Sequence, residues 1–353
     1  MRSKVINTDP SHAIDLLKVS RADGAMPLMY LLRRLQRFKA SDPRDRIFAL
    51  LGIATEIDEL GIKPDYSKSC EEVYTETART LLSHGYFDVL SHCIHEPHDP
   101  KAVVSSSRLP TWAPDWSRRT TCSPLQQRAL DRSQKPIVNT VLQPMFRACG
   151  MRCQPDAKKI PDQKWDAPLK LSVIILGTVR SLGDSWQPQQ VGKWLQSLQT
   201  LARSSPSRLI DSHEQAHAVW RTAVADQDLR KHNQKPRLAA ETVNRLHAAF
   251  PDMSAIDVQT LIDKKFGDYL ECLNSIGQGR CPFLTIDGDL GIGPDEARDG
   301  DEVAIILGAD VPYLLRRREY EDGFIFIGEA FVYDCMDGQR AGPDAVTVQV
   351  DVY

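Results

Sequence analysis

The sequence predicts an α+β fold with a helical N-terminal part and a small, antiparallel, β-barrel-like C-terminal part that carries a helical insertion. Apolar residues recur at helical spacing over the first hundred residues, and short β-branched and aromatic runs follow one another after residue 282. Helical spacing returns between about 188 and 276. We therefore predict a helical part with a Trp- and Pro-rich loop over residues 1–143, and a barrel-like part with the insertion over residues 144–353.

The N-terminal part is predicted to contain three helices. Residues 26–38 place leucines on one face and arginines on the other, which indicates an amphipathic helix. The SDPRD segment supplies a cap and an early proline for a second helix ending at Gly52. A third helix is predicted from residues 67–70 to Gly85, and the prolines that follow indicate an extended loop over residues 96–143.

The β part is predicted from runs of β-branched and aromatic residues bounded by Gly and Asp. The longest run contains VIILGTV and marks a strand of its own before the insertion. The predicted strands are residues 145–151, 169–182, 283–286, 302–307, 313–317, 324–333 and 346–350.

Composition excludes several classes of function. The chain has 353 residues, a formal net charge of -3 and 26% charged residues, so it lacks the basic excess of a nucleic-acid-binding protein. No apolar run approaches the roughly 20 residues that span a bilayer, and the N-terminus shows no signal-peptide pattern, so we expect a cytoplasmic protein without a membrane partner. Its eight cysteines are irregularly spaced and are expected to be buried thiols.

The standard catalytic signatures do not occur in the sequence. There is no Walker A loop, nucleophile elbow, HExxH motif or dinucleotide-binding fingerprint placed between a strand and a helix. The GDLGIG run at residues 288–293 lies between predicted strands and is followed by proline, whereas a phosphate-binding loop leads into a helix. We therefore expect no cofactor.

Two clusters have the residue types of a metal site and one cysteine pair has those of a redox site, but each has a structural alternative. Imidazole and thiolate ligands at His92, Cys93, His95 and His98 resemble a loose zinc pattern, and surface or core histidines explain them equally well. Cys149 and Cys153 would share one face of a predicted strand and pack there. The aspartates between residues 287 and 301 lack the order of a calcium-binding loop and suit turns. We expect no metal.

The segment LPTWAPDWS at residues 109–117 has two interpretations. Trp112 and Trp116 with Asp115 could form a rigid aromatic wall for an apolar ligand. Alternatively, the two indoles fill the junction between the helical and β parts while Asp115 caps a turn, which is the more common fate of tryptophan. In the RRR run at residues 316–318, an inward Arg316 would need a carboxylate or a ligand anion.

Several segments together resemble the fungal heterokaryon incompatibility (HET) family. The segment ASDPRDRIFALLGI at 40–53, PDYS at 64–67 and LPTWAPDWS at 109–117 are similar to family motifs in the same order. The resemblance continues in the β part through LGIGP at 290–294 and GEA at 328–330. Further similar pairs and triplets are GD at 300–301, LR at 315–316 and MDG at 336–338.

Two departures from the family pattern shape the functional expectation. The resemblance implies a HET domain, related to TIR-type nucleotide hydrolases, well before Met26, and only a short leader stands there, so we do not expect dinucleotide hydrolysis. Near the end, family members carry histidine and glycine where this chain has Tyr333 and Asp334. The architecture also resembles Diels–Alderases of fungal natural-product pathways.

Two functional hypotheses follow. The first is a cofactor-free pericyclase that closes an apolar terpenoid by an intramolecular Diels–Alder reaction, since shape and one or two hydrogen-bond donors suffice for that chemistry. The second is a non-enzymatic interaction or regulatory module, with possible self-association. A deep apolar cavity between the two parts favours the first hypothesis, whereas a filled core and an exposed apolar patch favour the second.

The candidate site is expected where the Trp112 loop meets the 324–337 hairpin. Tyr333, Trp112 and Arg316 are the candidate catalytic donors. The candidate substrate-binding residues are Trp116, Asp115, Phe324, Phe326, Phe331, Asp334 and Cys335.

Overall fold

The computed structural model describes residues 27–36, 40–93, 109–118, 122–126, 145–152, 167–205, 211–228 and 237–353. The N-terminal part contains helices α1 (Leu28–Arg34), α2 (Asp45–Leu51), α3 (Ile57–Leu60) and α4 (Cys70–Ser83), then the 3₁₀ helix Phe87–His92. The insertion contains α5 (Val191–Arg203), α6 (Ser212–Thr222), α7 (Ala240–Ala249), α8 (Val258–Asp263) and α9 (Gly267–Gly277), with a 3₁₀ turn at Met253–Ala255. The strands are β1 (Leu169–Leu182), β2 (Arg280–Thr285), β3 (Leu290–Pro294), β4 (Glu302–Ile306), β5 (Pro312–Arg317), β6 (Phe324–Glu329), β7 (Phe331–Val332) and β8 (Val348–Val352).

Helix α4 shows how local chemistry fixes the ends of an element. Ser69 accepts a hydrogen bond from the Glu72 backbone at 3.2 Å, and the Glu72 carboxylate accepts one from the Ser69 backbone at 2.7 Å. This reciprocal pair is a capping box, which satisfies two backbone donors that the first turn leaves free. The chain then leaves the helix at Gly85, whose φ of 84° suits a residue without a Cβ.

The strands form one eight-stranded sheet in the order β4-β5-β6-β8-β1-β2-β3-β7, and β1 also pairs with β4. The pairing is antiparallel except between β6 and β8, which meet in parallel at Phe324 and Val352. Strands β1, β4, β5, β6 and β8 therefore close into a ring. Because β6 and β8 share one registered pair, the sheet is ring-like rather than a true barrel.

Strand β1 pairs with three other strands, and its register shifts twice along its length. It pairs with β8 over its first residues, with β4 in the middle and with β2 at its end. The shifts lie between Ile175 and Gly177 and between Val179 and Ser181. A Cβ on Gly177 would lie 2.8 Å from the Asp287 carboxylate, so a larger residue here would displace that side chain.

The strands are buried on both faces, as β4 shows by having no exposed residue. Alternate positions of β4 contribute to two apolar clusters. Val303 and Ile305 belong to a smaller cluster, here called the strand cluster, together with Leu314 and Ile327. Ala304 and Ile306 belong to the main core, which also contains the N-terminal helices and the insertion.

The predicted fold class is confirmed, including the helices before and within the β part. The predicted strand at 145–151 is wrong, because these residues form turns that pack against the chain around Gly338. Cys149 therefore lies in a turn, and Cys153 lies outside the described residues. The GDLGIG run does not separate two strands, since β3 begins within it, and the 324–333 segment divides into β6 and β7. The domain boundaries at residues 143 and 144 stay a prediction.

Candidate functional site

The tryptophan loop is buried against the N-terminal helices. Trp112 and Trp116 are 0% and 4% exposed. The Arg79 guanidinium lies 4.8 Å from the Trp112 ring centroid, and the Tyr74 ring meets Trp116 edge-on at 5.2 Å. Asp115 accepts hydrogen bonds from the backbone and hydroxyl of Ser117, as a turn cap does.

The same loop is attached to the β part next to the predicted hairpin. The Thr111 backbone donates to the carbonyl of Tyr353 at 3.1 Å, and the Phe326 backbone donates to the Thr111 hydroxyl at 2.9 Å. Phe326 is fully buried and its ring lies 5.3 Å from that of Tyr313. The structure thus places the loop beside Phe326, with both of its indoles in the main core.

Arg316 has the carboxylate that an inward guanidinium needs. Its Nε and Nη2 donate to the two oxygens of Asp301 at 2.8 and 2.9 Å, and Nη2 also donates to the Glu296 carbonyl. The Asp301 side chain is 1% exposed and also accepts from the Arg298 backbone. This arginine therefore holds a turn of the β part together.

Phe324, Phe331 and Cys335 are all buried. The Arg317 guanidinium lies 5.0 Å from the Phe324 ring centroid, and the Phe331 ring packs edge-on against Phe146 at 6.1 Å. These three predicted site residues therefore contribute to the two apolar clusters.

Tyr333 lies at the surface, apart from the tryptophan loop. It is partly buried, and burial raises the pKa of its hydroxyl against the opposing effect of Arg221, so the phenol stays protonated near neutral pH. Behind it, Arg221 and Arg237 both pair with Asp226, and Arg237 also pairs with Asp337. We call Tyr333, Asp334, Asp337 and this Arg221–Asp226–Arg237 network the Tyr333 face.

The network of the Tyr333 face is held in a defined geometry. Burial raises the pKa of Asp226, while its two arginine partners oppose that shift. Ala225 and Asp226 have φ values of 48° and 53°, and the Asp226 backbone donates to Arg221 at 2.6 Å. The Arg237 guanidinium also stacks 4.3 Å from the Phe146 ring centroid. These contacts hold the network in one arrangement.

Asp334 has a strained backbone at an exposed turn. Its φ is 60°, in the left-handed region that favours glycine, and the resembled family carries glycine here. Aspartate tolerates this region better than most residues, yet still at a cost of the order of 1 kcal/mol. The exposed Asp334 carboxylate therefore lies next to Tyr333 in the chain.

A second group of residues forms a buried polar cleft between the helical and β parts. We define the junction cleft by five side chains, which are Ser91, Gln227, Arg280, Tyr313 and Glu329. All five are less than 9% exposed and come from the first 3₁₀ helix, the insertion and the sheet. Residues 122–126, which form neither helix nor strand, contact these side chains.

Glu329 is the centre of the junction cleft. Its Oε1 accepts from the Arg280 guanidinium and from the Leu125 backbone, each at 2.6 Å. Burial raises the pKa of Glu329, and the charge of Arg280 together with hydrogen bonds from Ser91 and the Leu125 backbone opposes that rise. The arrangement holds a peptide N–H.

The GEA triplet contains Glu329 and the predicted strand at 313–317 contains Tyr313, but neither these two residues nor Arg280 were among the predicted site residues. A charged residue inside an apolar strand was the available signal for Glu329, since β6 is otherwise FIFIG.

The cysteine and metal predictions have the following outcome. The Gln36 side-chain amide nitrogen and His92 Nδ1 form a hydrogen bond of 2.9 Å. Burial lowers the pKa of His92 to about 3. His95 and His98 lie outside the described residues. Burial raises the thiol pKa values of Cys93 and Cys281, the latter to about 12. Among the described residues no group of three His, Cys, Asp or Glu side chains is arranged to hold a metal.

A cavity of about 260 Å³ lies in the N-terminal part, away from all predicted site residues. Phe48, Leu60 and Val73 form its apolar wall, and Lys63 and Lys68 lie at its edge. None of the helices in the described ranges has the length and apolar character needed to cross a bilayer.

Comparison with known proteins agrees with the resemblance of the motifs. Residues 253–345, which include β2 to β7, match the family model of the Het-6 beta-barrel domain. The chain is similar to "Heterokaryon incompatibility protein 6, OR allele" of Neurospora crassa, with 25% identity over 357 residues, 85% of this chain and 49% of the relative. It thus spans about half the length of that curated relative, and no solved structure matches. The chain is thus similar to a fungal heterokaryon incompatibility protein over most of its length and to the Het-6 beta-barrel domain within its β part.

Proposed function

We propose that this chain is a recognition module, which binds another heterokaryon incompatibility-like chain, including a second copy of itself, through the Tyr333 face. The observation that carries the proposal is the strained, exposed Asp334 beside Tyr333. Residues held in sparsely populated backbone conformations cluster at binding and switch sites, so this residue marks the face as a candidate for recognition.

The ion-pair network supports the same role. The ion pairs next to Tyr333 join Arg221, Asp226 and Arg237. These side chains are already ordered, so they lose little conformational freedom when a partner binds. Tyr333 offers a ring and a protonated hydroxyl, and tyrosine is enriched among the residues that dominate binding energy. Similarity to an allele of an incompatibility protein is in keeping with discrimination between chains.

Sedimentation equilibrium of the full chain tests the proposal directly. We expect association at roughly 10–100 μM, either with itself or with the full-length Neurospora relative. Tyr333→Ala should weaken it at least tenfold, which corresponds to about 1.4 kcal/mol. Tyr320→Ala is the matched control, because Tyr320 is 93% exposed and lies outside the Tyr333 face. The recognition role is wrong if neither protein binds, or if both variants weaken binding equally.

A second candidate function is the cofactor-free Diels–Alder cyclisation of a terpenoid, including norbornene formation. The observation in its favour is a donor without a partner, since the buried Trp112 indole N–H makes no hydrogen bond within the described part of the chain. Such a donor could polarise a conjugated carbonyl, an effect worth roughly 2–4 kcal/mol.

Incubation of the purified chain with a terpenoid that carries a diene and an electron-poor alkene tests the cyclisation. Mass spectrometry should find a product of unchanged mass that disappears after heating the protein. Trp112→Phe should lower the rate about tenfold or more if the indole N–H acts, while Trp186→Phe serves as control because that indole N–H is also buried and without a partner. A product rate equal to that without protein excludes this function.

A further inference from the structure

The geometry points to the junction cleft as a peptide-binding site, which residues 122–126 of this chain occupy in the present structure. We propose that a partner segment with a small-Pro-Leu-Gln pattern takes the same place. The inference rests on the proposed recognition role and names the chemistry of one partner.

The cleft contacts the main chain of its occupant in the way a peptide site does. Glu329 accepts the Leu125 N–H at 2.6 Å, and the Gln227 amide donates to the Leu125 carbonyl at 3.4 Å. Arg280 donates to the Ser123 carbonyl at 2.8 Å. Three side chains of the cleft thus contact backbone groups of Ser123 and Leu125. Any peptide of suitable shape presents the same groups.

Two side chains of the occupant provide selectivity. The Leu125 side chain is fully buried, so the position selects an apolar residue of that size. The Gln126 amide donates to the Ser91 hydroxyl at 3.0 Å and to the Tyr313 hydroxyl at 2.6 Å. A partner lacking this amide would leave both buried hydroxyls without that donor.

The cleft also has polar capacity that residues 122–126 do not use. Gln227 Oε1 is buried and makes no hydrogen bond with the described residues, although the amide nitrogen of the same side chain contacts Leu125. Buried acceptors of this kind are rare in native structures. A different peptide with one more donor would satisfy it, which favours exchange of the occupant over a permanent seal.

The probe for this site is a fluorescent heptapeptide with the sequence Thr-Ser-Ser-Pro-Leu-Gln-Gln, which is residues 121–127 with serine in place of Cys122. Fluorescence anisotropy should show saturable binding to the full-chain variant Leu125→Ala, at least tenfold tighter than to the wild type, whose own segment competes. A peptide with N-methyl-leucine loses the N–H that Glu329 accepts and should bind at least tenfold more weakly. A scrambled heptapeptide is the control.

If Leu125→Ala does not fold, Gln126→Ala replaces it, because that variant loses two hydrogen bonds and keeps the buried leucine. Hydrogen exchange of the wild type provides an independent measurement: the Leu125 amide should exchange at least a hundredfold faster than that of Ile305. The inference is overturned if the Leu125 and Ile305 amides both exchange only through global unfolding and neither Leu125→Ala nor Gln126→Ala binds the peptide. The Tyr333→Ala variant should bind the peptide unchanged, so failure of the Tyr333 face and failure of the cleft are separately visible.

Discussion

The strand cluster and the junction cleft are both buried, but different interactions stabilise them. Val303, Ile305 and Leu314 in the strand cluster are all 0% exposed and contribute through burial of apolar area. Arg280 and Glu329 in the junction cleft are 2% and 6% exposed and contribute through a hydrogen-bonded ion pair. An apolar cluster tolerates a change of partner, whereas a buried charge depends on the presence of one particular group.

The difference explains where specificity resides in this fold. Apolar clusters accept many sequences of similar volume, so the strand cluster fixes the β part without selecting a partner. In the junction cleft each polar atom requires a matching group at hydrogen-bond distance. The helical part, the insertion and the sheet are therefore joined by the region least tolerant of substitution.

The largest effect should come from breaking the buried pair of the junction cleft. Arg280→Ala removes the cation beside the buried Glu329 carboxylate, and we expect the free energy of unfolding in urea to fall by about 3–5 kcal/mol. The double variant Arg280→Met with Glu329→Leu should recover a large part of that loss. A double variant no more stable than Arg280→Ala would show that packing, rather than charge, joins the parts.

His92 should make the junction sensitive to acid. Burial lowers its pKa to about 3, and Gln36 is hydrogen-bonded to its Nδ1. Since the folded pKa lies below the unfolded value of about 6.5, the stability it provides is present above pH 6.5 and is lost as pH falls, by about 2 kcal/mol at pH 5. His92→Asn should flatten the unfolding free energy over this range, whereas substitution of the exposed His84 should leave the curve as it is.

Two neighbouring arginines of β5 both pair with buried carboxylates but differ in their own exposure, which is 21% for the Arg316 side chain and 70% for that of Arg317. Arg316→Ala leaves Asp301, 1% exposed, without its guanidinium, and we expect a loss of about 1.5 kcal/mol in unfolding free energy. Arg317→Ala is the matched variant, because the Arg317 side chain is 70% exposed and its pair with Glu302 is worth about 0.5 kcal/mol or less. Equal losses would contradict the role given to Asp301.

The smallest effect concerns backbone strain at the Tyr333 face. Asp334→Gly removes the side chain from a backbone at φ 60°. We expect the free energy of unfolding to rise by about 0.5 kcal/mol, which a slightly higher melting temperature would show. Asp344→Gly should lower stability, because Asp344 is exposed and has no positive φ to relieve. If both variants lose stability, the left-handed conformation of Asp334 is not a source of strain.

Much of the fold followed from local patterns. The predicted bounds of β1 match the structure because a β-branched run of that length has no helical alternative. Strand β3 was missed because three of its five residues are glycine or proline, which are poor indicators of a strand. Residues 145–151 have the composition of a strand, yet the chain turns there to pack against Gly338.

The candidate site was less accessible to prediction. The sequence alone determined that the two tryptophans had one apolar and one functional interpretation, that an inward Arg316 needed a carboxylate, and that residues 333 and 334 depart from the resembled family. Only the tertiary structure decided that Asp301 is that carboxylate, that Asp334 has a left-handed backbone and that Leu125 meets Glu329. The last contact joins residues 204 positions apart, and a hydrogen bond over such a separation leaves no periodicity in the sequence, because local patterns record only which face of an element is apolar.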